Sequence, residues 1–329
     1  MLKRLAILGL VIGAVGCAAT EEGATSSSEL SAGSLRMNQF QAKGTHNSYH
    51  DMRWWMPVTA LRYDHQPLDV QLDAQGVRAF ELDLQFKDGG FEVHHVDTWD
   101  SGSTCPRFTD CLKKLKGWSD AHPKHQPLFV QLEAKDAFDA AKADEYEAAL
   151  DRSILSVWPK DRIVTPDDVK GSATSVRDAI TTTGWPTMES ARGKIVFFLQ
   201  PDEGRRQHYT HGDRDLSGRL TFVSSGLDKP YAALAILDDP KGERSKIEAA
   251  VRAGFIVRTR ADADVVEAIS NDHSREQAAW ASGAQIVSTD FPVKVDNYDY
   301  FTTNPGGTPS RCNPLLGPTG CTSADIETL

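Results

Sequence analysis

From Asn38 onward, short β-rich runs alternate with longer helical patterns, and this alternation limits the possible folds more than any other feature of the chain. "FQAKGT" reads as a strand entering a loop. "DHQPLDVQLDAQGV" follows as a helix, with Leu68, Leu72 and Val77 on one side and Gly76 near its end. "RAFELDLQF", "KDGG" and "FEVHHV" read as a hairpin around an Asp-Gly turn. "FTDCLKKLKGWSDAH" is an amphipathic helix, "PLFVQLEAK" a strand, and residues 141–158 a long helix ending before Pro159. "GKIVFFLQ" is a nearly continuous apolar run, the mark of a strand buried on both faces of a parallel sheet. The pattern continues with a helix in "RSKIEAAVRAGF", a strand in "FIVRTR", one helix across "ADVVEAISNDHSREQAAWASG" and a strand in "AQIVSTDFP". The strand–helix units number about seven or eight, which favours a closed TIM-type α/β barrel, not necessarily a regular one, over an open sheet. With 329 residues, 40% of them hydrophobic, the chain can bury one large core. The expected barrel spans 38–295. The Pro/Gly-rich tail, 296–329, is expected to wrap the surface, tied by Cys312 and Cys321.

The N-terminus reads as a targeting segment. Lys3 and Arg4 precede the apolar run Leu5–Val15, too short to cross a bilayer as a helix and shaped like a signal peptide. The run ends at Ala14-Val15-Gly16-Cys17, which resembles a lipobox, with Ala14 where Leu is more usual; a plain signal peptide cleaved near Ala18 or Ala19 is the alternative. Residues 1–17 are therefore assigned to the signal segment and 18–37 to a polar tether poor in groups to bury. The expected location is outside the cytoplasm, as a membrane-anchored lipoprotein of the cell envelope or a secreted protein. The remaining cysteines form two local pairs, Cys105/Cys111 and Cys312/Cys321, and local disulfides are the simplest connectivity in an oxidising compartment. Zinc is the competing use, but neither pair has CxxC spacing and no histidine sits at finger distance. The net charge of −10 argues against a nucleic-acid partner, and an anionic substrate would need a local cation.

In a parallel barrel, chemistry gathers at the C-terminal ends of the strands. The first strand ends in Gly44-Thr45-His46-Asn47. Glu81 and Asp83 stand at i, i+2 in the next strand, so both carboxylates share one face, where they repel unless protonated or bridged by a cation. Calcium suits such a mixed set of oxygen ligands. His94 and His95 follow, of which alternation lets one face the mouth, and Glu133 stands in "LFVQLEAK" with Lys135 two residues on. Each also has a structural reading: a histidine in a turn, an exposed edge-strand face, or a Glu133–Lys135 ion pair. Their convergence on one rim favours a site.

"GTHNSYH", "ELDLQF", "EVHHVDTWDSGSTC", "FVQLEAK" and "QIVSTDFP" together resemble the calcium-dependent phosphoinositide phospholipase C family of bacteria and fungi, across roughly the whole expected barrel. The resemblance implies catalytic roles for His46 and His95. It implies calcium ligation by Asn47, Glu81, Asp83 and Glu133. The metal-free relatives carry Asp after the first histidine, so Asn47 points to the calcium branch. It further implies a phosphodiester lipid substrate met at a membrane surface, cleaved to diacylglycerol and an inositol phosphate, either cyclic or hydrolysed further. Lys135, Arg258 and Arg260 are candidate substrate contacts, although the two arginines could equally pair with Asp262, Asp264 or Asp290. Trp54, Trp55 and Met56 would either dip into the interface or pack under the rim. "DRDLSG" lacks the final acidic ligand of a calcium loop and reads as a solvated loop, and His50 acquires no role. The chain is expected to act as a monomer. A glycerophosphodiester phosphodiesterase is the related alternative, but "GTHNSYH" does not match that family's usual His-Arg-Gly opening. A non-catalytic surface lipoprotein is the alternative of another class, and it predicts lost ligand positions that this chain retains.

Overall fold

The computed structural model describes residues 35–306 and 309–327. The signal segment, Cys17 and most of the tether lie outside those residues. Leu35 and Met37 are buried, so the folded part takes in the last residues assigned to the tether.

Ten strands are present among the described residues: β1 Phe40–Thr45, β2 Ala79–Lys87, β3 Gly90–Val93, β4 Leu128–Ala134, β5 Ile195–Gln200, β6 Phe222–Val223, β7 Leu234–Ile236, β8 Ile256–Arg260, β9 Ile286–Thr289 and β10 Ser310–Cys312. The sheet order is β6-β5-β4-β2-β1-β9-β8-β7, and every neighbouring pair along it is parallel. A single parallel bridge, Ser224 to Leu234, joins the two ends and nearly closes an eight-stranded TIM-type barrel. β3 folds back antiparallel on β2 through Asp88-Gly89, both at positive φ, as the Asp-Gly turn requires. The short β6 and β7 are too brief for a period-two pattern, which is why the sequence shows no clear strand there.

Strand alternation sorts the barrel into layers. Phe40, Ala42, Ala79, Phe129, Val196, Phe198, Ile256 and Ile286 belong to one apolar cluster. Further along the same faces of these strands come Glu81, Asp83, Gln131, Glu133, Arg258, Arg260 and Ser288. The lower barrel is therefore a packed apolar core, and the charged groups are confined to the C-terminal rim. The opposite faces of β2, β4 and β5 supply Leu82, Leu84, Val130, Leu132, Phe197 and Leu199 to a second cluster with helices Phe108–Ala121 and Ala143–Leu155.

Two expectations are corrected. The helix expected across 263–283 is two helices, Val266–Ser270 and Ser274–Ala281. Asn271 adopts a left-handed φ of 50°, and the Asp272 carboxylate accepts the Ser274 N–H, so "NDHS" ends one helix and begins the next. The tail also does more than wrap the surface. β10 pairs with β1, and the buried Glu327 receives Arg78 from the N-terminal end of β2 at 2.6 Å and the Gln126 N–H at 3.0 Å. Both cysteine pairs are disulfides, Cys105–Cys111 and Cys312–Cys321, as expected from their spacing.

Candidate active site and metal centre

β2 and β4 run in register, with Glu81 opposite Gln131 and Asp83 opposite Glu133. This register brings oxygens of Glu81, Asp83 and Glu133 to within 4.8 Å of one another. Glu81 is held in place by the Gln131 amide at 2.7 Å and the Arg258 guanidinium at 2.8 Å. Asp83 is fully buried, and neither of its oxygens receives a hydrogen bond of normal geometry. Its nearest counter-charge is Lys135 Nζ at 3.1 Å, which also sits 3.0 Å from Glu133. Burial, then repulsion from Glu133, pushes the Asp83 carboxyl up to about 7 despite Lys135. Arg258 and Lys135 face four carboxylates, because Arg258 also binds Asp238 at 2.5 Å, so the rim stays electron-rich. A buried carboxylate whose one close counter-charge, Lys135, is shared with Glu133, flanked by two more carboxylates, fits a hard dication that seeks oxygen.

Asn47 belongs to the same rim. Its neighbour Ser48 donates its N–H to the Glu81 carbonyl at 2.9 Å, and Ser48 Oγ accepts the Glu81 N–H at 2.8 Å. The Asn47 amide nitrogen donates to the Tyr63 hydroxyl at 3.0 Å, which leaves its carbonyl oxygen available to a cation. Asn47 sits at a φ of 43°, in the left-handed region that asparagine tolerates better than most residues.

His46 leaves the end of β1, and its Nδ1 lies 2.7 Å from Asp290, just after β9. The other Asp290 oxygen takes Arg260 Nη2 at 2.8 Å, and Arg260 Nη1 lies 3.4 Å from His46 Nε2. Burial alone would raise the Asp290 carboxyl, but Arg260 and then His46 hold it down to about 2. Tyr63 Oη and His65 fix the loop, the latter through Nε2 to the His46 carbonyl at 2.8 Å. Burial lowers His65 to about 4, so it is neutral in the folded protein at neutral pH.

His95 follows β3, a quarter exposed, with Nδ1 2.7 Å from Asp100. The second Asp100 oxygen lies 2.9 Å from His50 Nε2. Burial opposes the charge on Asp100, but hydrogen bonds from His50 and His95 hold its carboxyl below the usual carboxylate range. His94 turns the other way, as alternation predicts, and its Nε2 faces Asp97 at 3.1 Å.

The candidate residues of the sequence thus fall into three adjoining groups: the carboxylates with Asn47, the His46 unit and the His95 unit. Arg258 pairs with the buried Glu81 and the partly exposed Asp238, Arg260 with the buried Asp290, and Lys135 bridges Asp83 and Glu133. The sequence reading missed Asp100, Asp238, Tyr63 and the part played by His50. Asp100 alone carried a signal, as an acidic residue five positions after His95 in a turn-rich stretch. Two further groups of potential metal ligands exist among the described residues, Glu92/His94/Asp97 and Asp144/Glu147/His208. Each includes an exposed carboxylate, Asp97 and Asp144 respectively, so neither matches the buried carboxylates of the rim.

The sequence profile described as phosphoinositide phospholipase C, Ca2+-dependent, matches residues 35–90 and 84–314. No curated protein sequence matches the chain. Among solved structures, the calcium-dependent phosphoinositol-specific phospholipase C of a Pseudomonas species is similar with a TM-score of 0.62 at 18% identity, covering 86% of this chain and 97% of that one. The calcium-dependent phosphatidylinositol-specific phospholipase C of Streptomyces antibioticus gives 0.58 at 19% identity, covering 78% and 95%. The phosphatidylinositol-specific phospholipase C of Listeria monocytogenes gives 0.50 at 14% identity, covering 79% and 90%. At such identities the structural likeness establishes the barrel, and the profile match, which takes in most of the chain, establishes the family. This chain is a member of the calcium-dependent phosphoinositide phospholipase C family.

Proposed function

We propose that the chain is an exported phosphodiesterase that cleaves phosphatidylinositol-type lipids into diacylglycerol and a cyclic inositol phosphate, with calcium as its resident ion and the two histidines as its acid–base groups. The observation that carries this reading is the fully buried Asp83 carboxylate, hydrogen-bonded at neither oxygen and offset only by Lys135, beside Glu81 and Glu133 on the rim that bears His46. Asn47, Glu81, Asp83 and Glu133 would hold the ion. Calcium bound there supplies Lewis acidity, favouring ionisation of the inositol 2-hydroxyl and offsetting phosphoryl charge.

The protein groups perform the proton transfers. His95 keeps its Nδ1–H on Asp100 and presents Nε2. As the phosphorus–oxygen bond to diacylglycerol breaks, the bonding pair stays on oxygen and takes the Nε2 proton. His46 Nε2, with Arg260 beside it, faces the phosphoryl group. Either His46 or a rim carboxylate accepts the 2-hydroxyl proton. Each transfer contributes on the order of 10²–10⁴-fold. With an ion held by Asp83 and Glu133, Lys135 would be free to serve as a substrate cation.

A lipid substrate requires the barrel mouth to meet a membrane. Trp54 is 92% exposed, and Trp55 and Val58 in the loop after β1 and Val266 and Ile269 in the short helix after β8 also expose apolar side chains. The two disulfides suit an oxidising compartment, and the Cys17 segment suits a lipid anchor on a monomeric enzyme. Phosphorus NMR of the products tests the reading, with phosphatidylinositol vesicles and glycerophosphoinositol offered separately in calcium. Turnover of phosphatidylinositol to a cyclic phosphate is expected. Turnover of the deacylated compound alone would make the chain a glycerophosphodiester phosphodiesterase.

A further inference from the structure

His50 stands four residues beyond His46 in the same loop, yet its side chain reaches the other histidine's partner. Its ring is fully buried, with Nε2 2.9 Å from Asp100 Oδ1 and Nδ1 2.9 Å from the Tyr63 carbonyl. A carbonyl only accepts, so Nδ1 carries a hydrogen. Asp100 is held as a carboxylate, so Nε2 carries one too, and His50 is an imidazolium. Both oxygens of the buried Asp100 are therefore occupied by imidazoles, Oδ1 by His50 and Oδ2 by His95. The backbone reinforces the arrangement. Val96 and Asp100 exchange N–H···O bonds at 2.9 and 3.1 Å, which closes the turn carrying Asp100 back toward His95. His50 bridges to Ser103, and the Thr104 N–H reaches the Tyr49 carbonyl at 2.8 Å. At Gly102 any β-carbon would collide with the Asp51 carbonyl, so only glycine allows this approach of the two loops.

We propose that His50 and Asp100 are positioning residues that lock the His95 ring with Nδ1–H on Asp100 and Nε2 toward the leaving oxygen, so that the His46 loop also sets the second histidine. This inference rests on the reading of His95 as the proton donor to the leaving group. During cleavage the phosphorus–oxygen bond breaks, the electron pair remains on the departing oxygen, and the Nε2 proton moves to it. The His95 ring becomes neutral and keeps its Nδ1–H on Asp100. Asp100 and His50 exchange no proton with substrate.

A leaving group that needs no proton separates positioning from mere structural support. The full chain, saturated with calcium, is assayed on two soluble inositol phosphodiesters, one with an alkyl and one with a 4-nitrophenyl leaving group. Asp100→Asn and His50→Gln are each expected to lower kcat on the alkyl ester by about tenfold to a hundredfold. Both should keep kcat on the nitrophenyl ester within about threefold of the unaltered chain and leave KM unchanged, as loss of proton delivery alone requires. Equal losses on both esters, or no loss on the alkyl ester, overturn the proposal. His95→Ala is run beside them. If it too loses both esters equally, the donor assignment falls and takes this inference with it. If it loses the alkyl ester selectively while Asp100→Asn and His50→Gln do not, only the positioning role falls. Nitrogen NMR of the unaltered chain provides a check that needs no variant: neutral His95 should be the Nδ1–H tautomer, and finding Nε2–H overturns the proposal.

Discussion

His46 and His95 each give Nδ1 to a buried aspartate at 2.7 Å, but the two aspartates differ in what holds the second oxygen. Asp290 is held by Arg260, a residue of β8, and stands at the end of β9. Asp100 is held by His50, and both lie in loops. One histidine is thus fixed by the barrel wall and by a cation that never loses its proton. The other is fixed by two loops that clasp each other and by a cation that can. The strand-borne unit is rigid at the expense of burying a permanent charge. The loop-borne unit places a group beyond β3, a strand that pairs with β2 outside the barrel order.

The largest expected effect breaks either unit at its tip. His46→Ala and His95→Ala should each lower kcat by about 10²–10⁴-fold while unfolding as cooperatively as the parent. A near-parental rate in one variant would remove that histidine from the chemistry and end the comparison. Stability sharpens it next. Asp290→Asn removes the nearer acidic partner of the buried Arg260 and leaves it only Asp262 at 3.9 Å, and urea unfolding should show a loss of about 3 kcal/mol. Asp100→Asn should cost less, about 1–2 kcal/mol, because His50 can become neutral where Arg260 cannot. Equal losses would contradict the distinction between the two cations.

A smaller effect comes from pH. His65 supports the His46 carbonyl and is lowered by burial to about 4, whereas His50, despite its burial, is raised by its hydrogen bond to Asp100. Below about 6.5, the ordinary histidine value, the unfolded chain binds a proton at His65 that the folded chain refuses, so stability falls with acid until about pH 4. From pH 7 to 5 the His65 share of the loss is about 2 kcal/mol. His50 has the opposite sign. Its contribution is complete below about 6.5 and disappears as pH rises through its raised folded value. Urea midpoints across pH should therefore show His65→Asn flattening the acid limb and His50→Gln flattening the alkaline one.

Much of the fold was legible because strands such as "FELDLQF" show their period and "GKIVFFLQ" is a long apolar run. β6 and β7 were not, since two or three residues carry no period. The break at Asn271 was missed because a helical pattern on both sides overrode the capping chemistry of "NDHS". In the site, Glu81 and Asp83 were readable from i, i+2 spacing within one strand. Asp290 was considered only as a partner for the arginines, and its bond to His46 depends on β1 and β9 being neighbours, which the chain order does not reveal. His50 was dismissed because its partner lies fifty residues away, across two loops whose packing depends on Gly102. Glu327 was invisible for the same reason, being paired with Arg78 across nearly the whole chain.

The central claim is that the rim carboxylates hold calcium for the two histidines. Calorimetric titration of the metal-stripped chain with calcium, beside Asp83→Asn and alongside phosphatidylinositol turnover, tests it most directly. The account predicts one calcium per chain, its loss in Asp83→Asn, and turnover that disappears in excess EDTA and returns with calcium. Undiminished calcium binding by Asp83→Asn, or full turnover in excess EDTA, would contradict it.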